Sequence, residues 1–141
     1  MTKPRGSVEF LAEFPDDTVY DAAGDEVQFA GANVARAIGA LLTKQGYEVA
    51  APENCQELGW EFDVRRDRSR FWLRLTKIQE FVLVTQDMTF RLWPKPGPYV
   101  QFLQDLHAQL AGDPRFSRIR WFQDVLPADG GAWFPAPVDA P

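Results

Sequence analysis

The chain has one cysteine, Cys55, and one histidine, His107, in 141 residues. A single cysteine excludes an intramolecular disulfide and any four-thiolate metal site. A single histidine excludes His-rich zinc and iron sites, and any Ser-His-Asp chemistry would depend on that one ring. No stretch approaches the ~20 apolar residues that a membrane helix requires. The longest apolar stretches are Ala37–Leu42 and Phe81–Val84. The N-terminal segment MTKPRGSVEF has no apolar core of the kind a signal peptide needs, so with the lone cysteine the expected compartment is cytoplasmic. Glycine-rich phosphate loops, GxGxxG, GxSxG and paired-cysteine motifs are all missing. Twenty acidic residues offer no spacing that singles out a hydrolytic pair. No catalytic residue, metal ligand or cofactor is assigned on these grounds. The pattern argues against an enzyme without excluding one.

What is present is ordinary globular material, 45% hydrophobic and 25% charged, which excludes a disordered, collagen-like or coiled-coil chain. The length suits one domain. Arginine outnumbers lysine eleven to four and alanine is frequent, a composition expected from a GC-rich bacterial genome.

The net charge is −5, unevenly distributed. Residues 1–63 carry −8 and residues 64–141 carry +3. Seven acids and no base fall between Glu9 and Glu26, whereas Arg65–Lys77 holds six bases against Asp67 alone. Two readings compete. Either the molecule is bipolar and steers a charged partner, or the acidic loop folds over the basic hairpin and the charges neutralise each other. The overall acidity argues against nucleic-acid binding.

Ser7–Phe14 reads as a strand and Pro15–Glu26 as an acidic loop. Ala32–Gln45 reads as a helix with Val34, Ile38, Leu41 and Leu42 on one stripe, Asn33 as its N-cap and Gly46 just past its end. The small residues Ala35, Ala37, Gly39 and Ala40 let that helix lie close against a sheet. Tyr47–Ala51 is a short strand, followed by a loop over Pro52–Gly59. Trp60, Phe62 and Val64 alternate with charged residues, as do Phe71, Leu73 and Leu75. This is an antiparallel hairpin with one buried face. A two-residue turn at Asp67–Arg68 sets Trp60 opposite Leu75, Glu61 opposite Arg74, Phe62 opposite Leu73, Asp63 opposite Trp72 and Val64 opposite Phe71. Asp-Arg suits such a turn poorly, which leaves a four-residue loop open. Glu80–Gln86 reads as a strand buried on both faces, and Thr89–Trp93 as a short edge strand stopped by Pro94, Pro96 and Pro98. Tyr99–Ala111 is the second helix and Phe116–Gln123 the last strand.

The predicted fold is therefore α+β, a two-layer sandwich of one mostly antiparallel twisted sheet with two helices packed on one face. Residues 1–126 form one domain and residues 127–141 a Pro/Ala/Gly-rich C-terminal tail. The expected core is Val34, Ile38, Leu41, Phe62, Val64, Phe71, Leu73, Val82, Val84, Leu103, Leu106 and Ile119.

The chemistry-bearing candidates are few. His107 lies at the border of a helical stripe, where an imidazole is usually structural. Cys55 is flanked by Glu53 and Glu57, which oppose thiolate formation. Trp72 stands between Arg70 and Arg74 on the non-core face of the hairpin. It is either a binding hot spot or part of a second small core. Trp133 and Phe134 are the only large anchors of the tail, which would dock on the Trp72 face, on a partner copy, or on neither.

The expected function is a non-catalytic acidic protein-binding domain, an inhibitor or immunity-type partner of a basic target. Its partner-binding residues would be Asp16 and Asp17, or Arg70, Trp72 and Arg74, with Trp133 and Phe134. Two alternatives stay open. One is a domain or enzyme binding a small anionic ligand in a cleft between sheet and helices. The other is a homo-oligomeric structural subunit. A protein partner or self-association is expected, with no nucleic acid, membrane or cofactor.

Overall fold

A computed structural model of the chain describes residues 3–93, 95–123 and 132–139. The elements run β1 (Ser7–Ala12), β2 (Val19–Tyr20), β3 (Glu26–Gln28), α1 (Ala32–Lys44), β4 (Glu48–Val49), β5 (Glu53–Asn54), β6 (Trp60–Arg66), β7 (Ser69–Lys77), β8 (Phe81–Asp87), α2 (Gly97–Ala111) and β9 (Phe116–Phe122). Among the described residues, seven strands make one sheet in the order β4-β6-β7-β8-β1-β9, with β5 also paired to β6. Every pairing in it is antiparallel. The strands β2 and β3 form a separate two-stranded arm. Both helices bury their apolar stripes in one cluster with the inward residues of the sheet, giving the predicted α+β sandwich.

Period-two alternation produces the hairpin in its predicted register, Trp60 with Leu75 through Val64 with Phe71. The turn has two residues, because Arg66 pairs with Ser69. Asp67 takes a φ of 54°, a left-handed conformation that Asp tolerates better than most non-glycine residues. The predicted core is buried except for Ile119, which is half-buried and packed against it. Val82 and Val84 belong to a second small cluster on the opposite sheet face, with Phe122 and Trp72. Adjacent Trp121 and Phe122 are both buried because each serves a different face. Gly39 packs against Val49, so the absence of a side chain there brings α1 close to β4.

Three expectations are corrected. Thr89–Trp93 is not a strand: the segment leaves the sheet at Asp87 and runs as a loop to α2. The prolines that follow cannot donate ladder hydrogen bonds. Pro94 itself lies outside the described residues. Asn33 does not cap α1, whose N-cap is Gly31 at a φ of 119°. The Asn33 side chain, inside the first turn, still accepts the Val34 amide at 2.8 Å, while the Gly31 and Asn33 amides are served by Asp17, as described below. The acidic segment meets the basic hairpin at its Lys77 end and not over the arginines of its tip. Asp16, Glu26 and Glu57 line a recess with Thr76, Lys77 and Ile78 at the far end of β7. The nine residues of β7 separate that end from the Asp67–Arg68 turn by about 26 Å at ~3.3 Å per residue. The boundary expected between residues 126 and 127 lies outside the described residues. Residues 132–139 pack on the domain, with Phe134 bridging to Trp121 of β9 through two backbone hydrogen bonds.

Candidate functional site: a basic cleft beneath an apolar loop

The hairpin tip, the β8–α2 loop and the start of α2 enclose a cleft of about 1010 Å³. Its charged walls are Arg66 and Arg68 from the tip with Arg91 and Lys95 from the loop. The acid Asp67 also lines it. The floor includes Tyr47 and Phe71. The first turn of α2, with Gly97 and Pro98, closes one side and adds the positive end of the helix dipole.

The loop's large apolar side chains also line this cleft, and they stand largely in solvent. Phe90 is 88% exposed, Leu92 82% and Trp93 81%. Three such side chains within four residues keep a patch wetted that burial would favour removing from water. Yet the loop backbone is tied down. The amide of Met88 donates to the Arg70 carbonyl at 2.8 Å, and the Thr89 hydroxyl accepts from the Arg70 amide at 2.9 Å. The Arg91 guanidinium donates to the Lys95 carbonyl and to Ser69 Oγ at 3.1 Å, so it clasps the loop to the hairpin tip. The apolar side chains therefore stand out from a fixed support.

The floor is organised by Asp105 of α2. Its carboxylate accepts from the Tyr47 hydroxyl at 2.6 Å and from Gln101 at 2.9 Å, and lies 3.6 Å from Arg66. Burial, with the hydrogen bond to Asp105 next, pushes the Tyr47 hydroxyl well above its ordinary pKa. The Arg66 guanidinium rests 4.1 Å from the centre of the Tyr47 ring. These contacts hold one cleft cation in a fixed place.

The residues expected from sequence fall on three separate elements. Arg70, Trp72 and Arg74 stand in a row on β7, on the sheet face away from the helices. Trp72 is half-buried against Val82, Val84 and Phe122, with the Arg74 guanidinium 5.3 Å from the centre of its ring. Arg70 pairs diagonally with Asp63 at 3.0 Å, and Glu61 stands opposite Arg74 in the predicted register. Asp16 closes a local turn, accepting from the Thr18 amide and hydroxyl, which holds its carboxyl below the usual range. Asp17 is committed to the start of α1. Trp133 is 56% exposed beside Arg120, and Phe134 is stacked under Arg5 at the outer edge of β9. The strands β8 and β1 lie between β7 and β9, placing them about 14 Å apart at ~4.8 Å per strand.

The two reactive-type side chains are both engaged. The indole of Trp121 donates to His107 Nδ1 at 3.0 Å, and burial lowers the imidazole pKa. Cys55 hydrogen-bonds Glu61, which together with burial pushes the thiol up to about 11 and keeps it protonated at neutral pH.

The sequence reading missed the loop residues Phe90, Leu92 and Trp93. One signal pointed to them. The stretch MTFRLWPKPGP places three large apolar residues immediately before prolines, where a paired strand cannot continue.

No family model matches the chain, and no curated protein or solved structure matches it.

Proposed function

We propose that this chain is a non-catalytic protein-binding domain, and that it docks its partner in the cleft at the hairpin tip. The observation that carries this reading is the outward projection of Phe90, Leu92 and Trp93 from a backbone that Thr89 and Arg91 fasten to the hairpin. An exposed apolar patch ringed by charge is the usual anatomy of a docking surface. Trp and Arg side chains are also the commonest energetic anchors of such surfaces. The cations Arg66, Arg68, Arg91 and Lys95 select an acidic segment, so the partner presents carboxylates interleaved with apolar residues. This assigns the docking role to the basic end of the molecule, whereas the sequence pointed first to Asp16 and Asp17 and a basic target.

The reading is tested with an acetylated peptide of sequence Asp-Glu-Phe-Asp-Leu-Glu, titrated by calorimetry and amide NMR. Saturable binding that shifts residues 66–69 and 88–97 supports it. The Phe90→Ser/Trp93→Ser variant should then lose binding, and a peptide with lysine at every acidic position should not bind. Absence of saturation with the acidic peptide sinks the reading.

A second reading, a site for a small anionic ligand, is favoured by the cleft volume, which stands at the top of the ~300–1,000 Å³ range of small-molecule pockets. Thermal stabilisation by a small aromatic phosphate, lost in Arg68→Ala/Lys95→Ala, would select it over the first.

A further inference from the structure

The end of the molecule opposite the cleft carries the chemistry that the cleft selects. The arm formed by β2 and β3 is acidic at Asp21, Asp25 and Glu26, and exposed along its whole tip. Its apolar residues are also in water: Val19 is 45% exposed, Tyr20 59% and Val27 45%. The tip is held in shape by Asp21, whose Oδ1 accepts the amides of Ala23 and Asp25 at 2.9 Å each. Gly24 supplies the left-handed residue of the turn at a φ of 87°. The arm is thus a preformed acidic and apolar hairpin, and a rigid element costs less ordering entropy on docking than a free peptide.

We propose that copies of this chain associate head to tail, with the β2–β3 arm of one copy seated in the basic cleft of the next. The inference rests on the docking role assigned to the cleft above, and names its occupant. Asp25 and Glu26 meet Arg68 and Lys95, while Tyr20 and Val27 pack against Phe90 and Trp93. The arm of one molecule cannot reach its own cleft, because the length of β7, about 26 Å, lies between them. Symmetric pairings are disfavoured by charge. Cleft against cleft sets Arg66, Arg68, Arg91 and Lys95 against their own copies, and arm against arm sets acids against acids. A contact between two different surfaces does not use itself up. It extends into an open chain, or closes into a ring if the rotation allows.

The test is sedimentation velocity on the full chain. The sedimentation coefficient should rise with concentration up to about 1 mM at ~0.05 M salt, and fall back toward the monomer at ~0.5 M salt, where screening is short-ranged. Two variants then separate the surfaces. Tyr20→Ser/Glu26→Lys disables the arm and Phe90→Ser/Trp93→Ser disables the cleft. Each alone keeps one intact surface with nothing to meet, so self-association should weaken at least about thirtyfold. Mixed in equal amounts, they should form a dimer and stop there, since the first supplies a cleft and the second an arm. All four positions are exposed, and if either variant fails to fold, Asp25→Lys and Lys95→Glu replace the pair with the same expected outcome. A wild-type chain that stays monomeric at low salt overturns the proposal, and so does a mixture that forms no dimer. If the wild type is monomeric while the acidic peptide still binds the cleft, the self-docking inference fails and the docking role stands. If the peptide fails too, both fall.

Discussion

Asp17 lies sixteen residues ahead of Asn33 in the chain, and its Oδ2 accepts the Asn33 amide at 2.8 Å while its Oδ1 accepts the Gly31 amide at 2.9 Å. One carboxylate thus satisfies two backbone donors at the start of α1, where helix amides have no internal partner. It also places a negative charge at the positive end of the helix dipole. Asp17→Ala should destabilise the fold by about 1–2 kcal/mol, the usual cost of losing a helix cap. Asp17→Asn, which keeps one acceptor oxygen and loses the charge, should cost roughly half as much. Urea unfolding of the three proteins checks the order. Equal stability of wild type and Asp17→Ala would deny the cap its role.

The cap shows where sequence reading stops. The hairpin register was readable because β6 and β7 are neighbours in the chain and alternate strictly, so one turn position determines every pair. The helices were readable from apolar residues at helical spacing. Asn33 was legible as an acceptor for a helix amide, and it does accept that of Val34, but the Gly31 and Asn33 amides are served by Asp17 of the distant acidic loop, and no local pattern encodes that. The placement of β1 between β8 and β9 is likewise a pairing across more than seventy residues. The candidate cleft gathers the hairpin tip, the 88–95 loop and the start of α2, three segments whose proximity only the folded sheet creates. Trp72 was legible as an outward residue, but its neighbours Val82, Val84 and Phe122 come from two other strands.

Arg5 is the fastening of the C-terminal segment. It is only 3% exposed, its amide donates to Pro137, and its guanidinium donates to the Ala136 carbonyl at 3.1 Å and to Asp139 at 2.8 Å. The same guanidinium stacks 3.5 Å from the centre of the Phe134 ring. Arg5→Ala should cost on the order of 2–3 kcal/mol, because it strips charge-assisted hydrogen bonds and packing together. Arg5→Lys should recover less than half, since an ammonium neither stacks flat nor forks. Unfolding curves give the energies. Faster proteolytic clipping near Phe134 in both variants would locate the effect in the tail.

Gly59 tolerates no side chain. Its φ of 105° and ψ of −149° lie in a region open essentially to glycine, and an added Cβ would sit 2.1 Å from the Leu75 carbonyl oxygen. Relief would require moving the β7 backbone against β6. Gly59→Ala should cost more than about 3 kcal/mol, far above the usual range for surface substitutions. Gly46→Ala offers the contrast. It shares a positive φ of 92° but has open space around the missing Cβ, so it should cost only about 1 kcal/mol. Comparable losses at the two sites would show that backbone conformation alone, and not the clash, sets the penalty.

His107 gives stability a pH dependence with a definite sign. Burial lowers its pKa below 6.5, and Nδ1 must be unprotonated to accept the Trp121 indole hydrogen bond. The folded state therefore holds fewer protons than the unfolded state. The stabilisation is fully present above about pH 6.5 and is lost as pH falls through the folded-state value. His107→Gln keeps an acceptor oxygen and removes the titration. Its melting temperature should fall less than that of the wild type between pH 7 and pH 5. Parallel pH curves for the two proteins would remove His107 from the account.

Arg91 links the loop's rigidity to its proposed use. Its two guanidinium nitrogens reach the Lys95 carbonyl and Ser69 Oγ, joining both ends of the exposed stretch Phe90–Trp93 to the hairpin tip. The clasp spans no core residue, so Arg91→Ala should change global stability by no more than about 0.5 kcal/mol. Binding of the acidic peptide should nevertheless weaken by about 1–2 kcal/mol, through two causes that can be separated. One is the lost positive charge, which acts on the association rate and is damped by salt. The other is the lost preorganisation, which is insensitive to salt and raises the dissociation rate. Arg91→Lys retains the charge but cannot span both acceptors at once. It should bind with a near-normal association rate and a raised dissociation rate. Stopped-flow measurements on the two variants at low and high salt decide between the causes. If Arg91→Lys dissociates as slowly as the wild type, the loop is held by its other contacts, chiefly Thr89 to Arg70, and the clasp contributes charge alone.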